Sequence, residues 1–411
     1  MFRKFWHDFW IVLFIALVLI GIFSGRGMVI GLASMGLLVA GIAWLWNKLA
    51  LEELDYTRVI PQNRVFRGEK VHLSIEISNR KPIPLPRLDI DDDIPDALNI
   101  EGADVGFSPN PNSTRMRHST SMSWYEKTRW DYRISGSERG YFRIGPATLT
   151  SGDIFGLFQN VRQDKSRDYL LVYPNVLDLP SIGLPEARPL GDTEGGIRMF
   201  QDPSRPSGIR DYQRGDPMKT IDWKATAKMG DLKVRTFEPT SSQTIVLLVA
   251  VETTLRFWEG YSAVNLERVI TAAASVASYV SEKRYSLGMF SNGTPILADR
   301  PMKIPPTRSE EQLTIILEAL ATIRPLPMGS MPVNLSENIG KFPIGATLVI
   351  TAALITDEFV EVIRRLLQSG HKIVILYVAD GNCPAMPEGV TLYEIGQYFQ
   401  RMEMSGEFAS G

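Results

Sequence analysis

One cysteine, Cys383, and four histidines (His7, His72, His118, His371) are all that this chain of 411 residues offers for thiol or imidazole chemistry. An internal disulfide framework is impossible, and so is a zinc-type thiolate cluster. The histidines are scattered, so each reads as a surface or packing residue, and no cofactor or metal is expected. Charge excess is missing too: 44 Lys and Arg face 46 Asp and Glu, a net charge of −2. No basic cluster interleaved with aromatics occurs, which argues against a nucleic-acid partner. Walker-type and dinucleotide-type glycine loops are absent, as are the Gly-x-Ser-x-Gly elbow and the His-Glu-x-x-His helix. Cys383, in Gly381-Asn382-Cys383-Pro384, has no histidine close in sequence to act as its base.

Long apolar runs are present, and both lie near the start. Phe9 to Phe23 is interrupted only by Gly21, and Met28 to Trp46 only by small Gly, Ala and Ser. A bilayer-spanning helix needs about 20 residues, so residues 1–50 are predicted as two transmembrane helices joined by Ser24-Gly25-Arg26-Gly27. Trp6, Trp10, Trp44 and Trp46 lie where an interfacial aromatic belt is expected. Gly27, Gly31 and Gly36 offer a small-residue face for close helix contact. Arg3 and Lys4 ahead of the first run would also suit a signal peptide, but no small-x-small cleavage site follows. Arg3, Lys4, Lys48 and Arg58 outweigh Arg26 in the connector. The expectation is a multi-pass protein of the cell membrane with its soluble part in the cytoplasm, and the lone cysteine agrees.

Residues 51–180 alternate in short strands cut by turn residues. Val71, Leu73, Ile75 and Ile77 share one face of a period-two run that Asn79-Arg80-Lys81-Pro82 stops, and the texture returns at Arg129 to Ile134 and Tyr141 to Ile144. The spacing predicts an all-β, immunoglobulin-like sandwich without the paired cysteines of antibody domains. The acidic group Asp89, Asp91, Asp92, Asp93 and Asp96 lacks the spacing of a helix-loop-helix calcium site and reads as a solvated strand end. A Pro- and Gly-rich connector opens residues 181–242.

From 243 to 397 strands and helices alternate: strand Ile245 to Val251, helix Asn265 to Arg284, strand Leu287 to Phe290, helix Ser309 to Ile323, strand Thr347 to Thr351, helix Asp357 to Gln368, strands Ile373 to Val378 and Val390 to Ile395. This predicts a mostly parallel α/β sheet of Rossmann type, with any site at the carboxyl ends of its strands. Residues 398–411 read as a tail.

The most informative stretch is Gly208 to Lys224. It holds Arg210 and Lys224 as donors, Asp211, Asp216 and Asp222 as acceptors, Tyr212 and Trp223 as apolar bodies with polar tips, and a Gly215-Asp216 turn. It reads either as a docking surface or as a clasp that fixes geometry. Asp216 and Asp222 are the carboxylate pair that an enzyme could use as acid and base, although the basic residues around them favour ionised, paired carboxylates.

Arg210 to Lys224, followed by Ala227-Lys228 and Leu232-Lys233-Val234-Arg235, resembles the signature of the bacterial and archaeal family known as domain of unknown function 58. Arg139-Gly140-Tyr141, Ile144-Gly145-Pro146, Gly152 to Phe158 and Val172-Tyr173-Pro174 fall in that family's order. The resemblance implies a membrane-anchored protein with a von Willebrand factor A-like C-terminal domain and no established reaction. Arg210, Tyr212, Gly215, Asp216, Asp222 and Trp223 then become the family motif. In von Willebrand factor A-like domains the first strand ends in Asp-x-Ser-x-Ser, which binds a divalent ion. Here those positions are Glu252, Thr254 and Arg256, and a guanidinium repels a cation, so a degenerate metal-ion-dependent adhesion site is expected. Proteins of the family are often encoded beside MoxR-type AAA+ ATPases and transglutaminase-like membrane proteins. The expected function is therefore a non-enzymatic, membrane-anchored scaffold or assembly partner of such an ATPase. The alternatives are a cell-envelope hydrolase using Asp216 and Asp222, or an extracellular adhesion module.

Overall fold

The computed structural model describes residues 2–186, 189–190, 201–213, 218, 221–239, 243–296 and 301–405. The chain divides into two compact units, one built on Met1–Asn175 and the other on Val176–Phe408.

The first unit begins with helices α1 (Phe2–Ser24) and α2 (Gly27–Ala50). Gly25, at φ +61°, turns the chain between them. The helices run antiparallel and close together: a Cβ added to Gly36 would lie 2.3 Å from the Phe14 ring, and one on Gly21 2.9 Å from Ile30. Gly27 and Gly31, expected to line this contact, have nothing within 4 Å of such a Cβ. The seam follows Ala33, Gly36, Ala40 and Ala43 instead, the spacing that repeats on one side of a helix. By length and composition α2 is apolar enough to cross a membrane, with mean hydropathy 2.2, whereas the described apolar part of α1, Val12–Ser24, is shorter.

Twelve strands follow: β1 (Leu54–Val59), β2 (Arg64–Phe66), β3 (Lys70–Asn79), β4 (Leu85–Pro95), β5 (Leu98–Glu101), β6 (Val105–Phe107), β7 (Ser113–Met122), β8 (Lys127–Gly136), β9 (Gly140–Ile144), β10 (Ala147–Gly152), β11 (Gln159–Asp164) and β12 (Asp168–Tyr173). They form sheets ordered β1-β3-β8-β5, β11-β10-β4-β7-β6 and β2-β12-β9. Period-two alternation turns Val71, Leu73, Ile75 and Ile77 of β3 inward, where they share one core with Leu88, Ile90 and Ile94 of β4, Met116 of β7 and Leu149 of β10. Sheets that share a core in this way make a sandwich.

The same alternation carries charge inside. Arg58 of β1 and Asp92 of β4 are both buried. Arg58 Nε and Nη2 reach the two Asp92 oxygens at 2.6 and 2.8 Å, and the Tyr56 hydroxyl donates to Asp92 at 2.8 Å. Gly145 makes room for this group, since a Cβ there would sit 2.6 Å from Arg58 Nη2. Asp92 is therefore no part of a solvated strand end, and Arg58 is no free flanking charge. The other carboxylates of the expected acidic cluster also have partners. Asp93 takes Ser108, Asn110 and Arg115, Asp91 takes Arg117, Asp89 takes Ser119, and Asp96 takes Thr114.

The second unit opens with β13 (Gln201–Asp211), α3 (Trp223–Met229) and β14 (Lys233–Pro239). It continues with β15 (Thr244–Val249), α4 (Ala263–Glu282), β16 (Ser286–Ser291), β17 (Gly293–Pro295), β18 (Met302–Thr307), α5 (Gln312–Thr322), β19 (Ile323–Pro327), α6 (Met331–Ser336), β20 (Thr347–Ala352), α7 (Asp357–Gln368), β21 (Lys372–Tyr377), β22 (Val390–Glu394) and α8 (Gly396–Ser405). The main sheet is ordered β18-β16-β15-β20-β21-β22. Only β18, at its edge, runs antiparallel. The interior strands are apolar on both faces, as a helix-covered parallel sheet requires. α8 occupies part of the stretch read as a tail and buries Phe399.

Arg268 of α4 is enclosed in this unit at 2% exposure. It forks onto Glu403 of α8 at 2.8 and 2.7 Å and donates to Asp380 at 2.7 Å and the Val378 carbonyl at 3.3 Å. This arginine, which sequence reasoning passed over, ties α4, α8 and the end of β21 together.

Candidate functional site

Two places within the second unit hold the candidate residues. The first is the arm formed by β13, α3 and β14. β13 pairs with β14 in antiparallel register, Ile209 opposite Arg235 and Asp211 opposite Lys233. The chain between them closes through Tyr212 N–H to Leu232 O at 2.9 Å and Asp222 N–H to Lys233 O at 2.8 Å. Asp222 is the N-cap of α3, a position that suits a short carboxylate because orphan amides point at it. It accepts from Lys224 and Ala225 amides, each at 3.1 Å, and from Arg235 Nε at 2.9 Å. The Arg235 hydrogen bond, then the Ala225 amide, holds its carboxyl below the usual carboxylate range.

Arg210 donates to the Asp211 carbonyl at 3.0 Å, and Lys233 pairs with Asp211. Gly230, at φ +83°, ends α3 in the left-handed region that favours glycine. Gly215 and Asp216 lie outside the described residues. The arm thus brings Arg210, Tyr212, Asp222 and Trp223 into one small substructure, and the Asp216–Asp222 pairing falls outside what is described.

Ile221 and Val234 are buried within the arm, but its other described large apolar side chains face solvent. Trp223 is 64% exposed. Ile209, Met218, Met229 and Leu232 are exposed as well, and α3 buries none of its side chains.

The second place is the point where strand order reverses, at the carboxyl ends of β15 and β20, where open α/β sheets hold ligands. Glu252, just past β15, accepts the Met331 N–H at 3.1 and 3.2 Å through its two oxygens. Burial raises its pKa, the Met331 and Asn292 hydrogen bonds lower it, and Glu358 raises it again, for a net rise. Thr254 donates to the Gly260 carbonyl at 2.7 Å, and the Arg256 guanidinium lies over the Trp258 ring at 5.5 Å. Glu252, Thr254 and the Arg256 guanidinium are thus engaged with Met331, Gly260 and Trp258, and the Thr254 hydroxyl also reaches the Arg256 carbonyl at 3.4 Å. On β20, Thr351 is wholly buried, and its hydroxyl has no hydrogen-bond partner. Among the described residues no group of three or more His, Cys, Asp or Glu side chains is placed to hold a metal ion. Cys383 is half-buried; burial, then Glu394, pushes its thiol up to about 11, far from a ready nucleophile.

Residues 208–394 match the family described as "Protein of unknown function DUF58". That span holds the candidate residues of both places, although β13 begins ahead of it at Gln201. The chain is also similar to the uncharacterized protein YeaD of Bacillus subtilis (strain 168), at 23% identity over 257 residues. The match takes in 62% of this chain and spans only 59% of that relative. Among solved structures, a cohesin module from a Clostridium perfringens family 33 glycoside hydrolase aligns at 12% identity, covering 29% of this chain and 96% of that one, with a TM-score of 0.23. A non-cellulosomal cohesin from Archaeoglobus fulgidus aligns at 10% identity over 29% and 91% of the two chains, with a TM-score of 0.20. Likeness at that level carries no argument about fold or activity.

Proposed function

We propose that this chain is a membrane-anchored, non-enzymatic scaffold whose β13–α3–β14 arm docks a protein partner. The arm's division of labour carries the reading: Asp211 and Asp222 are engaged by Lys233, Arg235 and backbone amides, while Ile209, Met218, Trp223, Met229 and Leu232 stay in solvent. A carboxyl held below its usual range is a poor general acid near neutral pH, which weighs against Asp222 in a hydrolase. Exposed Trp and Met beside arginine form the composition of binding hot spots.

The rest of the proposal follows the resemblance. The strand order, with its single antiparallel edge, supports a von Willebrand factor A-like C-terminal domain. Engagement of the Glu252, Thr254 and Arg256 side chains with Met331, Gly260 and Trp258 supports a degenerate ion site. In this reading α1 and α2 both span the membrane. Arg3, Lys4 and Lys48 set against Arg26 favour the cytoplasmic side for the soluble domains in this reading. The family's association with MoxR-type AAA+ ATPases makes such an ATPase the partner to try, with a transglutaminase-like membrane protein beside it.

The test is titration of the purified full-length chain, in detergent, with a purified MoxR-type ATPase. Saturable binding is expected, weakened at least about tenfold by Trp223→Ala with no change in melting temperature. Binding indifferent to Trp223→Ala removes the arm as the docking surface, no binding removes this partner, and steady turnover of envelope material by the chain alone ends the non-enzymatic reading.

A further inference from the structure

The end of the sandwich that meets α2 carries a second feature. Strand β11 runs alongside the helix terminus: Arg162 donates to the Leu51 and Leu54 carbonyls at 2.6 and 2.5 Å, and Asn160 to the Asn47 carbonyl at 3.2 Å. Moving from Arg162 to Asn160 therefore moves backward along α2, toward its apolar body. The next residues in that direction form the turn between β10 and β11. This turn is pre-shaped by Asp153, whose buried carboxylate accepts the Phe155 amide at 2.8 Å and the Phe158 amide at 2.6 Å. At its tip Ile154 and Phe155 are 58% and 57% exposed. The turn is braced from within and holds two adjacent large apolar side chains in solvent, and exposed apolar groups clustered in this way mark an interaction surface.

The turn between β7 and β8 lies at the same end. Tyr125 N–H bonds the Lys81 carbonyl at 3.4 Å, and Lys81 Nζ in turn caps α2 by donating to the carbonyls of Ala50 at 2.6 Å and Glu52 at 2.5 Å. Here Trp124 and Tyr125 are each 67% exposed. Register confirms the shared end: Leu85 at the start of β4 pairs with Met122 at the end of β7, and Leu88 pairs with Ser151 near the end of β10. In the last turns of α2 itself, Lys48 stacks over the Trp44 ring at 5.6 Å, an arrangement suited to a headgroup layer.

We propose that these two turns form a second membrane contact, in which Trp124, Tyr125, Ile154 and Phe155 enter the headgroup–acyl boundary of the leaflet where α2 ends. The occupant is lipid because the patch continues the only helix among the described residues that is long and apolar enough to cross a bilayer. Trp, Tyr, Phe and Ile are also the side chains that partition to that depth. The inference rests on α2 being a membrane span.

The experiment uses the full-length chain with Cys383→Ser, reconstituted into phosphatidylcholine–phosphatidylglycerol vesicles. Phe155→Cys carries an environment-sensitive fluorophore, and Glu138→Cys, at the far end of the sandwich, carries the same probe as a control. The expected result is a blue-shifted residue-155 probe, quenched several-fold more by shallow spin-labelled lipid than the residue-138 probe and shielded from aqueous iodide. If the chain resists alkaline extraction while the residue-155 probe remains open to iodide, the inference falls and the anchor stands. Shielding from iodide without lipid quenching means that protein covers the patch, which also overturns it. Alkaline extraction of the chain overturns both readings.

Discussion

Arg58 in the sandwich and Arg268 in the α/β unit are both buried, yet their carboxylate partners differ. Asp92, the main partner of Arg58, has no exposed side-chain surface, whereas Asp380 and Glu403 keep 52% and 29% of theirs. At the Arg58 site the Asp92 carboxylate is sealed inside the core, and a further partner, Asp168, keeps 39% of its side-chain surface. The Arg268 site is an inner cation held by carboxylates that water still reaches. Burial opposes the charge of Arg58, and Asp92, by hydrogen bond and charge, together with Tyr56 and Asp168 more than compensates. A partner with water around it tolerates the loss of its cation, and a sealed one does not.

The largest expected effect follows from that difference. Arg58→Met leaves Asp92 buried beside Tyr56 and should destabilise the sandwich by about 3–5 kcal/mol. Adding Asp92→Asn should recover most of the loss, because a neutral amide still accepts the Tyr56 hydroxyl. Thermal melts of the single and double variants decide the matter, and equal melting temperatures for the two would contradict the account of Asp92 as a sealed carboxylate.

Arg268→Met should cost less, about 1–3 kcal/mol, since Asp380 and Glu403 relax into solvent and the Val378 carbonyl loses a 3.3 Å donor. Proteolysis should then cut near α8 first. A loss as large as that at Arg58 would place the two arginines in one class.

Glu252 sharpens the contrast, being a half-buried carboxylate held by N–H groups from Met331 and Asn292. Its pKa is raised, so the folded chain keeps this proton at pH values where the unfolded chain has released it. The corresponding stability is present at low pH and declines as pH rises from about 4.5. Glu252→Gln should therefore melt no lower than the parent at pH 7, with any advantage vanishing as pH approaches 4.5. A lower melting temperature at pH 7 would show that ionised Glu252 is needed.

Much of this architecture was legible. Helix α7 follows its amphipathic stripe from a Thr356 cap whose hydroxyl accepts the Phe359 amide. The apolar runs of β15, β20 and β21 read directly as strands buried on both faces. Edge strand β18 was passed over because Pro305 and Pro306 look like breakers, although an edge position tolerates residues that cannot donate to a ladder.

The buried charges were unread for a different reason. Arg58 meets partners 34 and 110 residues away, so no local motif announces them. A signal existed nonetheless: Arg58 shares parity with Leu54 and Tyr56, and Asp92 with Leu88, Ile90 and Ile94. Alternation alone turned both inward. At the candidate site, the cap role of Asp222 was readable from the residue types around it. The exposure of Met218, Trp223, Met229 and Leu232 was not, since residue type alone does not say which apolar side chains of a short segment are left in solvent.

The junction between α2 and the sandwich has a mechanical meaning. Only Leu51, Glu52 and Glu53 separate the helix from β1, and Lys81 and Arg162 grip their carbonyls and those beside them. Such a joint transmits torque: if α2 swings or rotates, the sandwich is carried with it as a lever arm.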